Sequence, residues 1–364
     1  MELVGITKRF RKITALRKID LSISDGEYVT VLGSTGAGKT TLLHVISGIL
    51  KPDSGEVYIE GKLVNETPPE ERRVSYFPQN YALFPHMTAM ENVAYGLIAR
   101  GASEGEARSS ALKVLRLVGL DKRADAYPRE LSGGMQQRIA LARALATGSK
   151  LLLLDEPLSA LDAILRIELR YELRKMAEEL DLTVVHVTHD QSEALSISDR
   201  VVVLRSGVIE QFGTPFEIYE EPRNIFVSNF VGEMNFYEGI VIGKDEAGVD
   251  IEVGGKSIRV GRKVDMREAV IAVRPESLGI VKGRKEDGNW IQGTVKGVSL
   301  SAGFLRFEVD LVNDREVLVK RRSALMMMKE EIGVNDEVSV YFDPDRVLVY
   351  PYPREGLYQA LEVT

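Results

Sequence analysis

Gly33-Ser34-Thr35-Gly36-Ala37-Gly38-Lys39-Thr40 stands between an apolar run, Tyr28 to Leu32, and a stretch with apolar residues at Leu42, Leu43, Val45, Ile46 and Ile49. Its spacing is GxxxxGK[ST], a loop that leaves a strand and opens a helix. The glycines let the backbone bend so that successive N–H groups point inward at an anion. The following helix, read as Gly38 to about Leu50, brings the positive end of its dipole to the same point. Such a loop cradles the phosphates of a nucleotide. Lys39 is placed to reach the β- and γ-phosphates, the Thr40 hydroxyl to bind Mg²⁺, and Gly33 through Thr41 are the candidate nucleotide contacts.

Outward from that loop the pattern repeats. Leu151 to Leu154 is an all-apolar strand, and Thr183 to Val187 and Arg200 to Leu204 are two more. Between the first two lies a helix with Leu161, Leu165, Leu169, Leu173, Met176 and Leu180 at three- and four-residue steps. Residues 86–148 read as mostly helical, with Leu112, Leu115, Leu117 and Leu120 in one segment, and residues 1–30 read as strands. Strands alternating with helices imply an α/β fold, a largely parallel sheet covered on both faces. After about Gly232 the helical period fades. Short alternating strands follow at 239–242, 249–253, 269–273, 293–298, 304–311, 317–319 and 338–342, separated by glycine and aspartate turns. The expected organisation is a nucleotide-binding domain over 1–232 and a small all-β barrel over 233–364.

Bulk composition narrows the function. The 364 residues carry 47 Lys and Arg against 54 Asp and Glu, a net charge of −7. That argues against nucleic acid as the main partner. With no cysteine and four histidines there is no disulfide framework, thiolate metal site or histidine cluster. No segment approaches the roughly eighteen apolar residues of a spanning helix, and the first residues lack the apolar core of a signal peptide. The chain is expected in the cytosol, meeting a membrane only through a partner.

Further motifs sharpen the chemistry. The Leu151–Leu154 strand ends in Asp155-Glu156 and so delivers two carboxylates to the edge of the sheet where ligands bind. Asp155 is placed to hold Mg²⁺ through water, and Glu156 to orient and deprotonate a water. Leu131-Ser132-Gly133-Gly134-Met135-Gln136-Gln137-Arg138 is a second glycine-containing segment, at a helix start where Ser132 also serves as an N-cap. Gln79 follows Phe77-Pro78, Asp162 ends Ser159-Ala160-Leu161-Asp162, and His189 ends the strand-and-loop Val187-Thr188-His189.

Together these motifs resemble the ATP-binding cassette (ABC) family, with a RecA-like P-loop NTPase core and a helical subdomain at about 86–148. The resemblance implies that Ser132, Gly133 and Gly134 form the signature loop that closes over ATP bound by a second copy. Met135 stands where the family usually has Gln, and Ser34 where Pro is usual. It implies that Gln79 contacts Mg²⁺ or the attacking water, that Asp162 crosses the dimer interface while also favouring its helix dipole, and that His189 contacts the γ-phosphate and positions Glu156. Phe10, 29 residues before Lys39 (39 − 10), matches the position of the family's adenine-stacking aromatic, the favoured reading, with a core or strand phenylalanine as its competitor. His44, His86 and His186 read as surface or packed side chains.

Residues 233–364 resemble the TOBE/OB-type domain of one importer subgroup, through Met234-Asn235-Phe236 and Val273-Arg274-Pro275-Glu276. The implied cofactors are ATP and Mg²⁺. The implied partners are a second copy, integral membrane permease subunits and, indirectly, an extracytoplasmic solute-binding protein, with no nucleic acid. The implied location is the inner face of the cell membrane. In the same subgroup the apolar segment Asn80 to Thr88 helps line the groove for the permease. Transported solutes include sugars, polyamines, sulfate, molybdate and iron, and residues 230–235 lean toward polyamine or sulfate. A soluble ABC ATPase outside transport is the alternative; it usually adds a long coiled coil or a second cassette, and this chain shows neither.

Overall fold

The computed structural model describes residues 1–159, 163–285, 288–301, 303–312, 315–322 and 332–362. The chain divides into two compact units, Met1–Arg223 and the residues from Asn224 onward.

The first unit is organised by a six-stranded sheet in the order Val208–Gly213, Arg200–Arg205, Tyr28–Gly33, Thr183–Thr188, Leu151–Asp155 and Val74–Phe77. All neighbours run parallel except Val208–Gly213, which is antiparallel at one edge. Side chains alternate across a strand, and here both faces are buried. Val29, Val31, Leu153, Val185 and Val187 pack with Leu42, Leu43, Val45 and Ile46 of the helix Lys39–Ser47. Tyr28, Leu152, Leu154 and Val184 pack on the other side with Leu169, Leu173 and Met176 of the helix Ala163–Glu179. Continuous apolar runs are the sequence consequence of that double burial. The Lys39–Ser47 helix stops short of Leu50 because Gly48 takes a left-handed conformation as its C-cap, with φ 85°.

Three helices, Ala89–Ala99, Glu104–Leu117 and Gly133–Ala146, pack together through Val93, Ala107, Leu115, Ile139 and Ala142. Thr88 with Glu91 and Ser103 with Glu106 form capping boxes at the first two. Of the leucines read in one helical segment, Leu115 is buried, Leu117 is exposed and Leu120 lies past the helix end. A separate antiparallel sheet joins Ile13–Ser22, Glu2–Phe10, Ser54–Ile59 and Lys62–Leu63.

Among its described residues the second unit holds two five-stranded antiparallel sheets, in keeping with the small all-β domain expected. One runs Lys256–Val260, Gly248–Val253, Asn235–Asp245, Glu268–Val273, Leu348–Pro351. The other runs Leu278–Lys282, Glu337–Phe342, Trp290–Ser301, Phe304–Leu311, Arg315–Arg322. The second sheet curls: Arg321 on its last strand donates from Nη1 to the Ile280 carbonyl on its first, at 2.9 Å. A common core joins both, including Tyr237, Ile251, Ile271, Ile280, Phe307 and Val340. The unit begins ahead of the boundary read at 232, because the helix Ile225–Phe230 packs through Ile225 against Val270, Ala272 and Leu348.

Candidate active site

The loop from Gly33 to Thr40 leaves the central strand and enters the Lys39–Ser47 helix. Its glycines are demanded by space as well as by backbone angle. A Cβ on Gly33 would meet the Leu204 carbonyl oxygen at 2.5 Å, and one on Gly38 the Ala15 carbonyl oxygen at 2.5 Å. Gly38, the N-cap, has φ 106°, and Gly36 has φ 82° with open space around it. Thr35 and Gly36 are exposed at the loop crest, Ser34 and Thr41 are half-buried, and Ala37 is buried, its N–H donating to the Ser34 carbonyl at 3.2 Å. Lys39 is buried, and its ammonium donates to the carbonyls of Gly33 at 2.9 Å and Ser34 at 3.0 Å. Burial holds its pKa below the ordinary lysine value, against the opposing pull of Glu156 and Asp155. Among the described residues no carboxylate lies within ion-pair distance of it. A buried cation whose hydrogen bonds go to carbonyls, with the nearby carboxylates not paired to it, is a site for an anion.

The Leu151–Asp155 strand brings its carboxylates to the same place. Asp155 Oδ1 accepts from Thr40 Oγ1 at 3.2 Å, and its Oδ2 from the Tyr76 hydroxyl at 3.1 Å. Burial raises the Asp155 pKa above the ordinary carboxylate value despite both hydrogen bonds. Glu156 is held at φ 48°, uncommon for a residue with a Cβ. Three bonds fix that conformation: its N–H donates to the Val187 carbonyl at 2.9 Å, and its own carbonyl accepts from Ser159 N–H at 3.3 Å and Ser159 Oγ at 3.0 Å. Its side chain points at two further groups. Gln79 Nε2 donates to Oε2 at 3.2 Å, and His189 Nδ1 lies 3.3 Å from Oε1. Lys39, Thr40, Gln79, Asp155, Glu156 and His189, scattered over 150 residues (189 − 39), therefore meet at the C-terminal edge of one sheet, where ligands bind in such folds.

Two residues of this cluster escaped the sequence reading. Tyr76 and His44 form a relay behind Asp155, with His44 Nε2 3.1 Å from the Tyr76 hydroxyl. His44 lies one turn beyond Thr40 on the same helix face, the i, i+4 relation that could have flagged it. His186 is packed, fully buried against Tyr28, and His86 is exposed.

The other predicted residues lie apart. Ser132 caps the Gly133–Ala146 helix, accepting from the Met135 N–H at 3.4 Å; Ser132 and Gly133 are exposed, and Gly134 is half-buried. Among the described residues these three share no hydrogen bond or ion pair with the Lys39 cluster. Phe10 ends the Glu2–Phe10 strand at 44% exposure, with Lys8 Nζ 5.8 Å from its ring centre. Asp162 lies outside the described residues. No group of three or more His, Cys, Asp or Glu among the described residues is arranged to hold a metal by itself. Thr40 and Asp155 offer a divalent cation oxygen ligands from one side, so bound phosphates and water must complete its shell.

Comparison with known proteins identifies the family. A model of the ABC transporter family matches residues 16–159, and a model of the TOBE domain matches residues 271–349. The spermidine/putrescine import ATP-binding protein PotA of Photobacterium profundum is 41% identical over 88% of this chain and 87% of its own. The Fe(3+) ions import ATP-binding protein FbpC of Brucella abortus is 40% identical over 93% and 94%. A solved dimeric bacterial ABC transporter cassette superposes with TM-score 0.55 at 36% identity, covering 59% of this chain and 98% of its own. A dimeric post-hydrolysis state of that cassette, bound to ADP and Pi, gives 0.54 at 37%. Near full-length likeness to import subunits sides with transport against a soluble ABC ATPase of another process. Among the described residues no helix is long and apolar enough to cross a membrane. The chain belongs to the ABC transporter family as an import ATP-binding subunit, an ATPase that energises solute uptake and carries a C-terminal TOBE domain.

Proposed function

We propose that each of two composite sites is built from the Gly33–Thr41 loop of one copy and the Ser132, Gly133 and Gly134 segment of the other. In this reading the loop amides and Lys39 take the phosphates of ATP, and the Thr40 hydroxyl, Asp155 and Gln79 hold Mg²⁺ directly or through water. Bound Mg²⁺ supplies charge neutralisation at the transferring phosphoryl group. Glu156 accepts the proton of the attacking water, while His189 and Gln79 keep its carboxylate aimed. Phe10 stacks on the adenine, and Asp162 crosses to the other copy. The observation that carries the assignment is the pair of contacts on Glu156, from Gln79 at 3.2 Å and His189 at 3.3 Å, above a buried lysine with no carboxylate at ion-pair distance among the described residues.

The working location is the cytoplasmic face of the membrane, against permease subunits that receive solute from an extracytoplasmic binding protein. The apolar segment from Asn80 to Thr88 would contribute to the permease groove. Relatives carry the names of polyamine and ferric-iron importers, and solute choice falls to the permease and binding protein. Glu156→Gln keeps the shape and removes the base. Its kcat is expected to fall by roughly 10²–10⁴ while ATP still drives dimerisation, measured by light scattering. Wild-type turnover in this variant sinks the base assignment. Tagged Glu156→Gln protein, recovered from its own membranes with Mg-ATP, should bring polytopic permease chains with it; recovery of soluble partners alone removes the permease reading.

A further inference from the structure

Beneath the His189 loop lies a chain of buried polar groups that the reaction itself does not use. His186 and Thr188 are two apart on one strand and so face the same side. That side is covered by Glu193 of the helix Gln191–Ile197. Tyr28, His186, Thr188 and Glu193 are 1%, 0%, 3% and 3% exposed. The Tyr28 hydroxyl lies 2.9 Å from His186 Nδ1, and His186 Nε2 lies 3.2 Å from Glu193 Oε1. The Thr188 hydroxyl donates to Glu193 Oε2 at 2.6 Å, and the same hydroxyl oxygen accepts from the Asp190 N–H at 3.0 Å. Asp190 Oδ1 accepts from the Glu193 N–H at 3.0 Å, and its Oδ2 faces Arg166 at 3.4 Å and Arg170 at 3.8 Å.

A buried carboxylate is costly unless it is paired. Burial pushes the Glu193 pKa up, but His186, Thr188 and Arg170 outweigh it and hold the carboxyl below its ordinary value. The charge therefore stays in place as an acceptor. The Tyr28 hydroxyl and His186 Nδ1 are hydrogen-bonded, and His186 Nε2 faces Glu193 Oε1 at 3.2 Å without the alignment of a hydrogen bond, so the link to Glu193 is one of proximity and charge. A plain core position would be filled more cheaply by an apolar side chain. What the carboxylate achieves here is direction: the Thr188 hydroxyl proton is drawn inward, which leaves its oxygen free for the Asp190 N–H. Thr188 and Asp190 flank His189 on both sides.

We propose that Glu193 and His186 are positioning residues for hydrolysis, acting through Thr188 to fix the backbone that aims His189 at Glu156. This rests on the role given above to His189. The test is a double-mutant cycle in the full-length protein, reading kcat and KM for ATP. Thr188→Val removes the hydroxyl with little change of shape, and His186→Phe fills the space without the ring nitrogens. Each is expected to lower kcat by about tenfold, the scale of a small misplacement of a reacting group, with KM changed less than about twofold. In a His189→Ala background neither should lower kcat further. Should His186→Phe fail to fold, Thr188→Val completes the cycle alone. Undiminished loss in the His189→Ala background, a KM that moves with kcat, or an unchanged kcat in Thr188→Val would each overturn the proposal. An unimpaired His189→Ala enzyme overturns the His189 assignment itself, and that single variant separates the two failures.

Discussion

Two helix N-termini in the first unit use the same device and are finished differently. At Lys39 the glycine-rich turn is packed at its two ends, against the carbonyls of Leu204 and Ala15, and open at its Thr35-Gly36 crest. The lysine is buried, and Thr40, Asp155, Tyr76 and His44 are linked by hydrogen bonds behind it. At Gly133 the turn is bare, with an exposed Ser132 capping its own helix and, among the described residues, no charged group bonded to it. Both offer backbone N–H groups and a positive dipole end to an anion. Only the first supplies the charge and the carboxylates that chemistry requires. On the reading proposed above, the contrast gives the second copy its purpose: its turn would complete a site whose catalytic groups sit elsewhere.

The most damaging way to break that contrast is to spoil each half separately. Lys39→Ala removes the buried cation. Ser132→Asp keeps a good N-cap, so the helix is retained, but sets a negative charge where a phosphate is to bind. Each variant alone is expected to lose at least about 10² in turnover, in line with removal of a preorganised charge-stabilising group. An equal mixture refolded together should regain roughly a quarter of wild-type activity, because half of randomly paired two-fold dimers hold one intact composite site out of two. A mixture as inactive as its components would show that the Ser132 turn does not serve the other copy's nucleotide. Full activity of Ser132→Asp alone would reduce Ser132 to a helix cap.

The contrast also marks what could be read before any coordinates. The loop, the strand carrying Asp155 and Glu156, and the double burial of the central sheet were legible because each is a local pattern: glycine spacing, an apolar run, a period. The strand Val74–Phe77 was not, being four residues long with two arginines just before it. With it went Tyr76, whose pairing with His44 is visible only when two elements meet. In the second unit the strands with strong alternation were found, whereas Lys256–Val260, Leu278–Lys282 and Leu348–Pro351 were not. The first of these had a signal: Gly254-Gly255, both at positive φ, is a two-residue hairpin turn between Val253 and Lys256.

The finished half of the contrast should carry a cost in stability that the bare half lacks. Burial raises the Asp155 pKa. A carboxyl whose folded pKa lies above its unfolded value favours folding in its protonated form, so ionisation weakens the fold once the pH exceeds the folded pKa. Asp155→Asn is therefore expected to melt above wild type at pH 7, without nucleotide, by a few degrees, on the scale of ~2–4 °C per kcal/mol for a domain of this size. The advantage should shrink as the pH falls through the folded pKa, where wild type is protonated as well. The same variant should lose ATPase activity, as expected for a group kept for function at the expense of stability. A variant that melts below wild type at pH 7 would mean that the Thr40 and Tyr76 hydrogen bonds outweigh desolvation, and that this half of the site stabilises the fold.

The smallest expected effect concerns Phe10, which belongs to neither turn. Its ring is 44% exposed at the end of its strand, paired across the hairpin with Ile13, which is 70% exposed. An aromatic held at a strand end by backbone pairing, with little packed over it, is available for stacking. Stacking on a base contributes about 0.5–1.5 kcal/mol beyond area burial, and that translates to roughly two- to tenfold in affinity. Phe10→Ala should raise KM for ATP within that range and leave kcat nearly unchanged, because adenine is held equally in ground and transition states. Phe10→Tyr should keep the wild-type KM. Ile13→Ala, made in the paired residue, separates base stacking from strand packing. If both alanine variants lower the melting temperature and neither moves KM, Phe10 is only a strand residue. If Phe10→Ala alone moves KM at an unchanged melting temperature, the base rests on its ring.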